Sequence, residues 1–311
     1  MTEIERIIAK GIIPESFLNP EVRNDFIVDE KRKKVWMVCL DMLMEIDRVC
    51  KKHDITYFLG YGSLLGAIRH KGFIPWDDDL DIVMKRKDYE KFITLSEEFK
   101  HPYFLQIPET DPGYYHTHAK IRNSNTCAFS PMTGYEGFNQ GMWLDIFQLD
   151  NFVYEDGLER YEKIKALNID EGTQMRLHNP NLDEKNKERV KEYMSRNVDP
   201  MHTYRSVESI ASKYKDCETE YISSIIVSLY AYEKNIFFSE DFSDTITTTF
   251  EGFSFPIPKG YDRILRTIYN NYWEFPPLDK RGNWHDQKFN PEMSFLDLYK
   301  DIKFNLRNSL K

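Results

Sequence analysis

A chain of 311 residues with 42 Lys and Arg against 51 Asp and Glu carries a net charge of −9, which argues against general nucleic-acid affinity. Its 41% hydrophobic content, including 21 Phe and 19 Tyr, can fill a sizeable core in one large domain or two small ones. Cys39, Cys50, Cys127 and Cys217 lack the paired spacing of a zinc ribbon or a disulfide framework, so a reducing compartment is expected.

The N-terminal stretch MTEIERIIAKGIIPESFLNP has no continuous apolar run, and nowhere do about 18 apolar residues follow one another. A cytoplasmic protein without a transmembrane segment is the expectation. The basic KRKK run at 31–34 and the FNLR stretch near the C-terminus are where it could touch anionic lipid at the inner membrane face. Short basic runs are more often solvated helix faces. Val35, Val38, Cys39, Met42, Leu43, Ile46, Val49 and Cys50 recur at helical spacing and predict an amphipathic helix over 31–52. It leads into a short strand at 55–59.

Gly60, Tyr61, Gly62 and Ser63 follow, which reads as strand, tight turn and helix start. Gly62 lets backbone N–H groups approach a phosphate, and Ser63 is placed to cap the helix while offering its hydroxyl to the same anion. Four carboxylates, Asp77, Asp78, Asp79 and Asp81, then crowd into five positions. Like charges so close raise one another's pKa unless a cation or strong donors hold them ionised, and a divalent cation is the simplest answer. Leu80, Ile82 and Met84 alternate with Asp79, Asp81 and Val83, so a strand here puts Asp79 and Asp81 on one face with Cα atoms roughly 6.5 Å apart. Both can then close on Mg2+ or Mn2+ that also takes phosphate oxygens. An acidic run taken alone more often caps a solvated turn, and GYGS alone most often marks only a turn. The two together, 16 residues apart, carry more weight.

Asp88 marks a second helix, and strands are predicted around 103–107, 116–122 and 142–149. In the last of these, Trp143, Asp145 and Phe147 share a face, an acid among aromatics that is costly to bury unless paired or metal-bound. Lys120 and Arg122 share a face of their strand and could hold a diphosphate through charge-assisted bonds. His116 and His118 lie on that face too; without further ligands nearby a role apart from metal is the expectation. Residues 158–234 alternate charges with small apolar clusters, and HNPNLDEKNKERVKEY suggests an exposed helical insertion. His285 stands in a Trp-rich segment where it could contact phosphate or an acceptor.

Residues 57–92 resemble the LicD family, phosphocholine transferases related to the fukutin group within the nucleotidyltransferase superfamily, and GSLLGAIRHKGFIPWDDDLDI is similar almost throughout. KIRNSNTC (120–127), WLDIFQLD (143–150) and IYNNYWEFPPLDKRGNWH (268–285) extend the likeness, whereas roughly 151–245 show no clear correspondence. The resemblance implies an α+β fold, a nucleotidyltransferase-like mixed sheet flanked by helices. It also implies a catalytic core at 1–150, a helical insertion at 151–245 and a C-terminal segment at 246–311 closing the cleft. It makes Asp145 the third carboxylate beside Asp79 and Asp81, either completing the metal site or serving as general base, with a mixed role leaning towards base. Gly62 and Ser63 fall on the superfamily's phosphate-binding motif.

The implied reaction moves phosphocholine, or a related phospho-substituent, from a CDP-linked donor such as CDP-choline to a sugar hydroxyl of a lipopolysaccharide or teichoic acid precursor. A quaternary ammonium would call for aromatic faces, and Trp76, Tyr114, Tyr115, Trp143, Trp273 and Trp284 supply candidates without marking a cage. Two alternatives stay open: a nucleotidyltransferase that releases pyrophosphate from an NTP, and a noncatalytic glycan- or partner-binding descendant, against which the intact carboxylates argue.

Overall fold

The computed structural model describes residues 1–227, 232–282, 288–298 and 300. The chain opens with helix α1 (Glu3–Ala9), the hairpin β1 (Glu21–Arg23) and β2 (Phe26–Val28), and the long helix α2 (Glu30–Lys52). The apolar stripe read from the sequence is what buries α2: Val35, Val38, Met42, Leu43, Ile46 and Val49 are all buried, and Asp29 caps its start by accepting from the Arg32 N–H at 2.8 Å. Then come β3 (Phe58–Leu59), α3 (Tyr61–Arg69), β4 (Asp81–Lys85), α4 (Arg86–Phe92), β5 (Tyr103–Gln106), β6 (Ala119–Asn123), β7 (Cys127–Phe129) and β8 (Met142–Phe152).

Three helices follow β8: α5 (Tyr154–Gln174), α6 (Glu184–Ser195) and α7 (Pro200–Ala211). Strands β9 (Tyr221–Ser223) and β10 (Ile236–Phe238), the hairpin β11 (Thr245–Phe250) and β12 (Phe253–Pro258), helix α8 (Tyr261–Tyr269) and β13 (Lys288–Asn290) complete it. The fold is α+β and nucleotidyltransferase-like, a mixed sheet flanked by helices.

The main sheet runs β10-β9-β8-β4-β3, with β6 also paired to β8 and β5 to β6. Eleven-residue β8 is its spine. It pairs antiparallel with β6, parallel with β4 through Asp81↔Asp145 to Lys85↔Leu149, and antiparallel with β9 at its far end. Its alternation is hidden by burial on both faces, as expected of a central strand.

The predicted strand at 79 begins instead at Asp81, because the preceding acidic residues lie in a loop held by groups outside the sheet. The Asp77 carbonyl accepts from Trp36 Nε1 and from the Arg32 guanidinium, both at 2.9 Å. Gly66 lets the turn leaving α3 fold back against the helix: a Cβ there would meet the Gly72 carbonyl oxygen at 2.4 Å. The predicted second helix starts two residues before Asp88, at Arg86.

A buried ion network joins α7 to the sheet. Arg86 donates to both Asp150 oxygens, at 2.6 and 2.9 Å, and to Glu208 of α7 at 2.6 Å, while Gln148 donates to Glu208 and to the Thr117 carbonyl at 2.9 Å.

Candidate active site

Parallel pairing of β4 and β8 sets Asp81 beside Asp145, and the loop before β4 brings Asp79 to the same point. One carboxylate oxygen from each of the three lies within 4.8 Å of the others. Asp77, Asp78 and Asp79 form a second such cluster on the entering loop. Three hard oxygen donors converging at one end of a parallel strand pair fit a small divalent cation, which takes one to three carboxylates and completes its shell with water or phosphate.

Asp145 is the most tightly framed. Its Oδ1 receives the Lys120 ammonium at 2.5 Å and the His118 Nε2 at 2.9 Å, and its Oδ2 accepts from the Trp143 indole N–H at 2.8 Å. Burial pushes this carboxyl up, but the Lys120 charge and the His118 hydrogen bond outweigh it and hold the group well below the usual carboxylate range. Burial pushes His118 down, so its ring is neutral and presents an N–H to the carboxylate. Lys120 stands directly opposite Asp145 in the β6–β8 ladder and also lies 4.8 Å over the Trp143 ring. The Phe147 ring, 4.7 Å from His118, and Tyr61, 5.5 Å from Phe147, close the apolar side.

The glycine turn meets the carboxylates from beneath. Gly60, with no side-chain cap, opens α3, so Ser63 lies inside the first turn and does not cap the helix. Its hydroxyl oxygen accepts the Asp81 N–H at 2.8 Å, which leaves the hydroxyl proton to donate. Gly62 faces the acidic loop, and a Cβ there would stand 3.1 Å from Asp77 Oδ2. Tyr61 sits at φ 42°, a left-handed conformation that costs a residue with a side chain about 1–3 kcal/mol and marks the turn as a constrained one.

The structure therefore brings Asp79, Asp81, Asp145, Lys120, Gly62 and Ser63 to one region. Arg122 lies further in: it donates to Gln106 Oε1 and to the Gly141 carbonyl, both at 2.7 Å, and supports the Trp143 ring from 5.2 Å. His285 and Trp284 lie outside the described residues. His118 and Trp143 join the site as partners of Asp145. The signal was present, since Trp143 sits two positions from Asp145 and His118 two from Lys120, but the strand register that unites them is not written in either segment. His116 turns instead to Glu171 of α5.

The chain matches the LicD/FKTN/FKRP nucleotidyltransferase domain over residues 54–260. It belongs to the LicD family. That match runs through 151–245, the region in which the sequence alone shows no clear correspondence. Over 260 residues the chain is 26% identical to the lipopolysaccharide cholinephosphotransferase LicD of Haemophilus influenzae, covering 81% of this chain and 95% of that protein. Two uncharacterized proteins match shorter stretches. That of Rickettsia typhi is 39% identical over 59 residues, 19% of each chain, and that of Rickettsia prowazekii is 43% identical over 47 residues, 15% of this chain and 18% of the relative. Among the described residues no helix is long and apolar enough to cross a membrane.

Proposed function

We propose that this LicD-family protein transfers phosphocholine from CDP-choline to a sugar hydroxyl of a cell-surface glycan precursor. The convergence of Asp79, Asp81 and Asp145 within 4.8 Å carries this reading. The likeness to a lipopolysaccharide cholinephosphotransferase supports the choice of group transferred. Asp79, Asp81 and Asp145 would hold Mg2+ or Mn2+, whose chemistry when bound is to neutralise charge on the donor diphosphate.

The chain's own residues do the positioning. Gly62 and Ser63 in the first turn of α3 face the phosphates with a backbone N–H and a hydroxyl proton. Lys120, already on the floor of the site, supplies the mobile positive charge that can swing from Asp145 to the diphosphate. The acceptor hydroxyl oxygen bonds to the phosphorus bearing choline as the bond from that phosphorus to the bridging oxygen breaks; CMP leaves with the bonding electrons, and the hydroxyl proton is lost late, to the departing phosphate or to water. A loose phosphoryl-transfer transition state asks for little early proton removal, so we assign Asp145 to charge and ligation ahead of proton abstraction. A carboxyl held so far down is a weak base.

The test is the leaving product. CMP released from CDP-choline, dependent on Mg2+ and stopped by EDTA, is the expected result. Pyrophosphate released from CTP, with CDP-choline left intact, would overturn the reading in favour of a nucleotidyltransferase.

A further inference from the structure

The stretch NYWEFPPLDKR (271–281) lies beyond residue 260, where the match to the family domain ends, yet it reaches the residue next to the acidic loop. It is anchored at its start. Arg69 of α3 donates through Nη1 to the Tyr272 carbonyl at 2.7 Å and to the Glu274 carbonyl at 3.1 Å, and the Tyr272 hydroxyl donates to Asp262 of α8 at 2.7 Å. From there Phe275 stacks on the His70 ring at 5.6 Å and meets the Trp76 ring edge-on at 6.0 Å. Arg281 returns over the same pair, 4.8 Å from the Trp76 ring and 5.3 Å from that of Phe275. Its guanidinium is held in place by donating to the Pro276 carbonyl at 2.8 Å and to the Asn24 carbonyl, at the tip of the β1–β2 hairpin, at 3.0 Å.

Trp76 is buried and stands immediately before the acidic run, with Phe26 of β2 covering it at 6.1 Å. The next residue, Asp77, is gripped by its backbone. Its N–H donates to the Ile74 carbonyl at 2.9 Å, and its own carbonyl takes the Trp36 and Arg32 donors of α2. The loop is thus held at two consecutive residues, at the Trp76 ring from the C-terminal stretch and at the Asp77 peptide from α2. A single attachment would leave the chain free to turn about it; two fix the direction in which it runs on to Asp79, which lies before β4 begins.

We infer that Phe275 and Arg281 are positioning residues for the metal site, acting through Trp76 to fix the loop from which Asp79 reaches the ion. The inference rests on the metal-dependent reading proposed above. It extends the working unit past the matched domain and gives the 271–281 stretch a part in the chemistry without contact with the reacting atoms.

Phe275 is 40% exposed and Arg281 is half-buried, so Phe275→Ala and Arg281→Met should both fold. Calorimetric titration of the full chain with Mg2+, without substrate, is the test. Each variant should bind Mg2+ about tenfold more weakly, the lower end of what removing a residue that orients a metal ligand typically costs. Phe275→Tyr, which keeps the ring, should restore wild-type affinity, and Leu278→Ala, at a side chain 67% exposed in the same stretch, should leave it unchanged. Folded Phe275→Ala and Arg281→Met proteins with wild-type Mg2+ affinity, whatever their melting temperatures, would overturn the inference and leave the metal reading standing. An equal loss in Leu278→Ala would overturn it too, by making the effect general to the stretch. A wild-type protein that takes up no Mg2+ would sink the metal reading and the inference together.

Discussion

Asp81 and Asp145 occupy matched positions in the parallel pairing of β4 with β8, and the Asp145 N–H donates to the carbonyl of Leu80 at 3.0 Å. The distance between these two carboxylates is thus fixed by backbone hydrogen bonding. Asp79 stands outside that ladder, on the loop just before β4.

Asp79→Asn and Asp81→Asn should each abolish turnover with the fold intact. Removing one charge from a crowded acidic site relieves repulsion, so the melting temperature without metal should stay level or rise. The rise in melting temperature on adding Mg2+ should shrink in both variants. Full activity in either one would remove that residue from the metal assignment.

Lys120→Met takes the nearest cation from a buried carboxylate, a change that typically costs about 3–5 kcal/mol. The side chains of Lys120 and Asp145 are 10% and 12% exposed, close to the regime in which that figure applies. Urea unfolding should show the loss in EDTA and a partial recovery in Mg2+, since a bound cation supplies the missing charge. An identical loss in both conditions would mean that no cation reaches Asp145.

For Asp145→Asn a fall in kcat of about 10²- to 10⁴-fold is expected, the range typical of a group acting directly on the transferring atoms. Titration of Mg2+ against activity tells ligand from base. A weaker metal requirement curve accompanying the loss fits ligation; an unmoved curve with the same loss returns the residue to the base role.

Acid sensitivity should reside partly in His70, at the end of α3. Its Nε2 accepts from Arg69 at 2.9 Å and its Nδ1 meets Asn24 Oδ1 at 2.9 Å, an arrangement that requires the neutral ring. Burial, with Arg69, Arg23 and Arg281 nearby, lowers its pKa from 6.5 to about 3. The unfolded chain therefore binds the extra proton first, between pH 6.5 and 3, and stability should decline as pH falls through that window and be complete above it. His70→Gln, retaining an acceptor for Arg69, should flatten the decline. Parallel slopes for the two proteins would assign acid sensitivity elsewhere.

Periodicity and residue type were enough to locate much of this. The stripe from Val35 to Cys50 is the buried face of α2, and the alternation around Asp145 correctly put it on a strand face with Trp143 and Phe147. The α+β class and the LicD likeness were legible in the run containing Gly62 and Asp79. What escaped was information held by pairs of segments. Nothing near Lys120 says that antiparallel register will set it across from Asp145. Nothing in GYGS says that the helix starts at Tyr61 and turns Ser63 towards the Asp81 N–H. Asp79 and Leu80 resembled strand because they continue the alternation of 81–84, while the groups that hold the loop before them, Trp36 and Arg32, lie on a helix some 40 positions earlier in the chain.

The shared guanidinium of Arg86 bears on how the protein can be dissected. Half of its counter-charge comes from Asp150 at the end of the central strand, and half from Glu208, which arrives only after α5 and α6 have been laid down. A fragment ending near residue 150 would retain a buried cation with one partner gone, and the Gln148 amide would lose the same acceptor. Any shortened form of this transferase must therefore extend through α7, and a chain emerging from the ribosome completes the pairing of its central sheet only once some sixty residues beyond Asp145 have followed.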